Sequence, residues 1–107
     1  MDAITQAKYE ARAKVIKALA HPARLLMVDE LAACGEKCVC ELTELVGSDM
    51  STVSRHLATL KSAGLVDDEK RGAMVFYRLR VQCITNFFSC VETVISENAE
   101  RQRQLLG

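Results

Sequence analysis

Apolar positions recur at intervals of three and four residues near both ends of the chain. They fall at 4, 7, 11, 15, 18 and 19, and again at 84, 87, 88, 91, 94 and 95. This spacing predicts long helices over about 4–19 and 82–104. His21-Pro22 interrupts the first pattern. Because proline suits the first position of a helix, a second helix is predicted from Pro22 to Ala33, ending at Cys34-Gly35.

The middle of the chain predicts shorter elements. Residues 36–40 are too few for a helix and suit a brief extended segment, which a short helix over 41–46 and a turn at Gly47 follow. Ser48 or Asp49 can cap the next helix, which runs to about residue 63 with Val53 and Leu57 on one face. This pair of helices predicts a helix-turn-helix over about 41–63.

Two further strands are predicted over 65–70 and 73–79, around Arg71-Gly72, because the second alternates with a period of two. The order is helix, helix, short strand, helix, turn, helix, hairpin, helix. This predicts a mainly α (α+β) fold: a single winged helix-turn-helix domain over 1–107 with a wing at about 65–79. The two terminal helices are too apolar to stand alone, so we expect them to bury their stripes against a second subunit as dimerisation helices.

The net charge of the chain limits the kinds of partner that it is expected to bind. Fourteen acidic and fourteen basic residues cancel, which disfavours a generic polybasic nucleic-acid binder. From 48 to 80, six Lys/Arg stand against four Asp/Glu, so the local excess is only two. No apolar run approaches the ~20 residues of a membrane span, and the N-terminus shows no secretory signal. The chain is therefore expected in the cytoplasm, where five cysteines are thiols or ligands rather than a disulfide framework.

Cys38 and Cys40 form a candidate site for a soft ion. In an extended segment residues i and i+2 face the same side and can chelate, whereas in a regular helix they lie about 200° apart. The soft ions that thiolates bind take three or four of them, so at least a third donor is needed. Cys34, four residues before the pair, is the favoured candidate. Cys83 and Cys90, which share a face of the last helix, are the alternatives, unless they only fill a core as small hydrophobes.

Candidate DNA contacts lie at the start of the second helix of the helix-turn-helix and on the hairpin. Residues there reach base edges, and flanking Ser, Thr and Lys side chains hold phosphates. Arg55 is the best candidate for a bidentate guanine contact, whereas His56 can equally cap or pack against a neighbouring group. Lys70 and Arg71 at the hairpin tip suit phosphates or the minor groove. The full set is Ser51, Thr52, Ser54, Arg55, His56, Lys61, Lys70 and Arg71.

Several segments together resemble the ArsR/SmtB family of bacterial metal-responsive repressors. They are Leu-Ala-His-Pro-Ala-Arg-Leu-Leu from 19, Cys-Val-Cys-Glu-Leu from 38, Ser-Thr-Val-Ser-Arg-His-Leu from 51, Lys-Ser-Ala-Gly-Leu-Val from 61 and Arg-Gly-Ala-Met-Val-Phe-Tyr-Arg-Leu from 71. The segment from 38 is similar to the arsenic-responsive branch. The resemblance implies a homodimer that represses an operator in double-stranded DNA until ligand binds, in systems that typically encode arsenite export or detoxification.

The chain departs from the family's patterns at two places. Thr43 stands where arsenic repressors of one type carry a third cysteine, and residues 81–107 lack the histidines of the zinc-sensing site. The function expected is release from DNA on binding As(III) or Sb(III). Thiol redox or persulfide sensing, or cadmium or lead sensing, is the alternative on the same fold. The chain has no Cys-x-x-Cys motif, no Gly-rich phosphate-binding loop and no paired acid and base, so it is not expected to be an enzyme.

Overall fold

The computed structural model describes all 107 residues, and its elements follow the predicted order. The elements are α1 (Ala3–Leu19), α2 (Pro22–Cys34), β1 (Glu36–Cys38), α3 (Val39–Val46), α4 (Met50–Ser62), β2 (Val66–Arg71), β3 (Met74–Leu79) and α5 (Ile84–Leu106). Helices α3 and α4 form the helix-turn-helix and strands β2 and β3 form the wing, so the predicted winged helix-turn-helix plan is confirmed.

The three strands form one antiparallel sheet in the order β1-β3-β2. Arg71 lies opposite Met74, so the hairpin closes through Gly72 and Ala73, and Gly72 has the positive φ of 62° that such a tight turn favours. Strand β1 pairs with β3 so that Cys38 lies opposite Phe76. The residue before α3 is thereby paired with the middle of β3, the second strand of the wing.

The core lies where α2, α3, α4 and the hairpin meet the end of α1. Its fully buried side chains include Met27 on α2, Leu42 on α3 and Leu57 on α4. Val53, Leu57 and Leu60 recur at helical spacing and make up the buried face of α4. Because this face is held by the core, the opposite face of α4 points outward.

The boundary between β1 and α3 differs from the prediction, and it concerns the candidate thiol site. Helix α3 begins at Val39 rather than at residue 41, and β1 ends at Cys38 rather than at residue 40. Cys40 is therefore the second residue of a helix and not part of an extended segment. The helix starts early because Cys38 and Glu41 satisfy its first backbone donors, as described below.

The terminal helices leave apolar side chains uncovered. No residue of α5 is buried, although the helix has 23 residues and extends two residues past the predicted end. Its exposed apolar side chains are joined by others on α1; they include Ile4, Ile16, Phe87, Val91, Val94 and Ile95. None of the helices is both long enough and apolar enough to span a membrane.

Candidate thiol site and nucleic-acid interface

The sulfurs of Cys38 and Cys40 meet at the start of α3. Their Sγ atoms lie 2.8 Å apart, with Cys38 only 2% exposed and Cys40 exposed. The expected 200° separation within a helix does not apply, because Cys38 precedes the helix and has an extended backbone (φ −79°, ψ 160°). One extended residue followed by a helical turn thus brings both sulfurs to the same side.

Cys38 also caps α3. Its Sγ accepts a hydrogen bond from the Glu41 backbone N–H (3.4 Å), and its own N–H donates to Glu41 Oε1 (3.0 Å). This is a capping box in which sulfur replaces the hydroxyl of the usual Ser or Thr. Sequence reasoning missed it, although a glutamate three residues after the cap residue is its signal. The sulfur that is available to a soft ion is therefore the same atom that holds the helix start.

The pKa of the Cys38 thiol is raised, whereas the pKa of the neighbouring Glu41 carboxyl is lowered. The sulfur contact with Cys40, followed by burial, raises the pKa of the Cys38 thiol. Hydrogen bonds from Cys38 lower the pKa of the Glu41 carboxyl, with a further contribution from Lys37, whose Nζ lies 3.5 Å away. Cys38 is thus held as a thiol beside an ionised carboxylate.

Only two thiols come together within the chain. Cys34 is exposed at the end of α2 and donates to Glu30 Oε1 (3.2 Å), a bond that raises the pKa of its thiol. Thr43 donates to the Val39 carbonyl (2.8 Å) and offers no sulfur. No group of three or more His, Cys, Asp or Glu side chains is placed to hold a metal ion. The third donor stays a prediction.

Cys83 and Cys90 do not fill the core of the chain. Cys83 is the residue before α5, Cys90 lies within that helix, and both are exposed. The alternative in which they act as buried small hydrophobes is therefore wrong for the single subunit. Both thiols lie on the element whose apolar side chains are left uncovered.

Polar side chains at the start of α4 form a connected network. Of the two candidate caps, Asp49 is the one used: it accepts from the Thr52 N–H (2.8 Å), Ser51 Oγ (2.7 Å) and Thr52 Oγ1 (3.1 Å). These bonds lower the pKa of Asp49 to about 2. Arg55 Nη2 donates to Thr52 Oγ1 (3.3 Å), and Ser54 is exposed beside it. The predicted base-contacting residues thus share one outward surface.

His56 lies apart from that surface. Its half-buried ring packs on His21 (centroids 4.2 Å apart), and its Nδ1 accepts from Arg24 Nη1 (3.1 Å). Burial, with the charges of His21 and of Arg24, lowers the pKa of His56, so the ring stays a neutral acceptor. This placement supports the packing alternative. His21 itself caps the start of α2: its Nδ1 accepts from the Ala23 N–H (3.0 Å).

The three cations predicted to contact DNA on the wing side differ in whether they form salt bridges within the chain. Lys61 pairs with Asp68 on β2 (2.8 Å). Arg71 pairs with Glu36 and with Glu69, and its guanidinium lies over the Phe76 ring (4.6 Å). Lys70 is exposed at the hairpin and forms no salt bridge. Lys70 is the one wing cation available to DNA without breaking an ion pair.

Known proteins share this arrangement. Residues 21–68 match the profile of bacterial regulatory proteins of the arsR family. The arsenic resistance transcriptional regulator ArsR1 of Pseudomonas putida is 37% identical over 86 residues, which are 80% of this chain and 67% of that protein. A cadmium resistance transcriptional regulatory protein (CadC homolog) of Staphylococcus aureus is 39% identical over 67 residues, 63% of this chain and 55% of that protein.

Solved structures agree with the fold. The homodimeric winged helix-turn-helix DNA-binding domain of Mb0332 from Mycobacterium bovis gives a TM-score of 0.77 at 33% identity, covering 94% of this chain and 93% of that one. The AntR antimony-specific transcriptional repressor gives 0.75 at 27% identity, covering 94% and 90%. The order of elements, the exposed face of α4 and these relatives lead to one conclusion: the chain belongs to the arsR family of helix-turn-helix transcriptional regulators.

Proposed function

We propose that the protein is a homodimeric repressor that leaves its operator when trivalent arsenic or antimony binds Cys38 and Cys40. The observation that carries this proposal is the 2.8 Å approach of the two sulfurs at the first turn of the helix-turn-helix. Soft thiolate donors favour soft ions, and the pair lies in a segment that leads directly into the DNA-reading helix.

The double use of Cys38 supplies a mechanism. Arsenous acid exchanges one hydroxyl for the sulfur of each thiol, and the thiol proton leaves with that hydroxyl as one water molecule. Cys38 Sγ then has an electron-pair acceptor that competes with the Glu41 N–H for its lone pairs. Losing a cap weakens a helix by about 0.5–2 kcal/mol. An eight-residue helix depends on its cap, so we infer that α3 changes its first turn and shifts α4.

Relatives support a metalloid as the effector and a dimer as the active state. The proteins similar to this chain include an arsenic resistance regulator, an antimony-specific repressor and a homodimeric domain. In the dimer, α1 and α5 would meet their counterparts and cover the apolar side chains left exposed here. In the dimer, the third thiolate donor would be Cys34, Cys83 or Cys90 of either subunit, and Cys34 is favoured.

A second candidate function uses the two thiols alone. Because no third donor lies with the pair in the chain, an oxidant or persulfide that joins two sulfurs would need nothing more than Cys38 and Cys40. Cadmium or lead as the ion is the remaining variant, and the similarity to a cadmium resistance regulator supports it. The metalloid, thiol redox and cadmium or lead functions all use the same two sulfurs and the same helix cap.

Operator release with a count of free thiols separates these functions. The probe is a duplex that the protein itself selects from a random pool. Arsenite or antimonite should release the reduced protein and block at least two thiols, while mass spectrometry finds the metalloid bound. Release by peroxide or persulfide with no response to arsenite, antimonite, cadmium or lead would overturn the metalloid and metal functions in favour of thiol redox sensing.

A further inference from the structure

A basic groove lies between α1, α2 and α4, away from the wing. It encloses about 570 Å³ and is lined by Lys14 and Lys17 of α1, Arg24 of α2, and Ala58, Thr59 and Ser62 of α4. No carboxylate lines it. None of its three cations forms a salt bridge, and Arg24 Nε is buried without a hydrogen-bond partner. The groove is therefore an uncompensated positive site with a hydroxyl-bearing wall.

The wall of the groove continues the DNA-reading face of α4. Residues 51, 55, 58 and 62 follow at intervals of four, three and four, so they line one side of the helix, and all four are exposed. On the other flank of this face, Lys61 turns away to pair with Asp68 of the wing. The reading face thus has the wing along one side and the basic groove along the other.

The groove changes the charge of the proposed interface. Residues 48–80 carry an excess of only two positive charges, which is a weak footprint for a DNA-binding surface. Lys14, Lys17 and Arg24 lie outside that segment in sequence but beside it in space. Counted together with residues 48–80, they raise the excess of positive charge from two to five. Counting charges along the sequence does not reveal that these residues lie next to α4.

We propose that this groove seats a backbone phosphate of DNA while the start of α4 occupies the major groove. The inference rests on the proposed operator binding. A major groove about 12 Å wide places phosphates on both flanks of an inserted helix, and the wing accounts for only one flank. Lysine ammonium groups, a guanidinium and a serine hydroxyl are the donors that phosphate oxygens accept from. Such a contact sets the position of the helix and reads no sequence.

The test compares two variants that remove the same charge. Lys14→Gln/Lys17→Gln empties the groove of two exposed lysines. Lys8→Gln/Arg101→Gln removes two exposed cations without salt bridges from elsewhere on α1 and from the far end of α5. Lys8 lies half a turn around α1 from Lys17, so it does not face the groove. Fluorescence anisotropy then gives the affinity for the selected duplex and for an unrelated duplex across a salt series.

The groove variant should bind both duplexes about tenfold or more weakly than the control variant, by the same factor on each. The slope of log affinity against log salt should fall in magnitude by about 0.9 for each phosphate contact that is lost, or about 1.8 for the two grooves of a dimer. Equal affinities and slopes for the two variants would overturn the groove while leaving operator binding intact. Wild-type protein that selects no duplex would overturn operator binding and the groove together. Because all four side chains are exposed, unfolding temperatures should match.

Discussion

Cys38 carries two roles that are chemically in competition. It is the cap of α3 and one of the two sulfurs offered to a soft ion. Serine or threonine caps as well as cysteine does, so helix formation alone does not require a thiol at this position. We propose that the sulfur makes the start of the helix responsive to ligands that a hydroxyl would not bind, so the proposed switch depends on this residue.

Asp49 gives a residue-level prediction for the DNA-reading helix. Its folded pKa of about 2 lies below the ordinary 3.8 because it caps α4 and accepts from Ser51 and Thr52. A lowered carboxyl pKa contributes stability that is complete above the unfolded value and is lost as pH falls through the folded one. We therefore expect wild type to be more stable than Asp49→Asn at pH 7, with the difference shrinking below about pH 4.

Urea unfolding at several pH values measures this difference. Asn keeps a capping oxygen and removes only the charge, so the helix remains capped in the variant. Asp29→Asn, which changes an exposed carboxylate that caps no helix, is the control. A stability difference between wild type and Asp49→Asn that stays constant down to about pH 2 would contradict the capping role.

At the scale of elements, the short helix α3 is bounded by special residues at both ends. Gly47 ends it with φ 78° and ψ 15°, and its N–H donates to the Thr43 carbonyl. A Cβ at this position would meet no atom within 4 Å, so only the backbone conformation favours glycine. Gly47→Ala should lower the free energy of unfolding by about 1–2 kcal/mol.

Chemical denaturation of two variants tests this end of α3. Gly47→Asn should cost less than Gly47→Ala, because asparagine tolerates the left-handed conformation. Equal losses for Ala and Asn would mean that side-chain bulk, rather than backbone conformation, decides the cost. In that case the turn of the helix-turn-helix would differ from the one described.

The elements were predictable where the signal is local. Period, proline and glycine located every helix and the hairpin, and the glutamate after Cys38 would have located the start of α3 had sulfur been considered as a cap. Contacts between distant residues were not predictable. The pairing of β1 with β3 joins Cys38 to Phe76, and Arg24 meets His56 across 32 positions. Neither contact produces a periodic pattern in the sequence, so the partners of the site residues could be identified only from the structure.

At the scale of the whole molecule, the single chain is extended. Its radius of gyration is 16.7 Å, against about 13 Å for a compact domain of this length. The excess comes with a long α5 that buries no residue and leaves Val94 and Ile95 more than half exposed, at 55% and 56%. A groove of about 350 Å³ lined mostly by apolar residues of α1, α2 and α5 adjoins these side chains. A second copy would cover both.

Val94→Glu should therefore shift the protein from dimer to monomer. Burying one Val or Ile side chain contributes about 1.5–3 kcal/mol, so its loss from both subunits should raise the dissociation constant at least tenfold. Sedimentation at micromolar concentration measures the change. Thr93→Glu places the same charge about 100° around α5 from Val94, roughly opposite the middle of the apolar face, and should leave the dimer intact. A monomeric wild type, or equal dissociation in both variants, would contradict the dimer.

The most direct test of the proposed switch is arsenite titration of operator-bound protein for wild type, Cys38→Ser and Cys40→Ser. Serine at 38 preserves a cap while removing the sulfur, so α3 should still form and DNA affinity should stay within a few-fold of wild type. Both variants should stay bound at arsenite concentrations that release wild type completely, and Cys34→Ser, Cys83→Ser and Cys90→Ser should then identify the third donor. Release of both variants at the wild-type arsenite concentration, or loss of DNA binding in both before arsenite is added, would contradict the account.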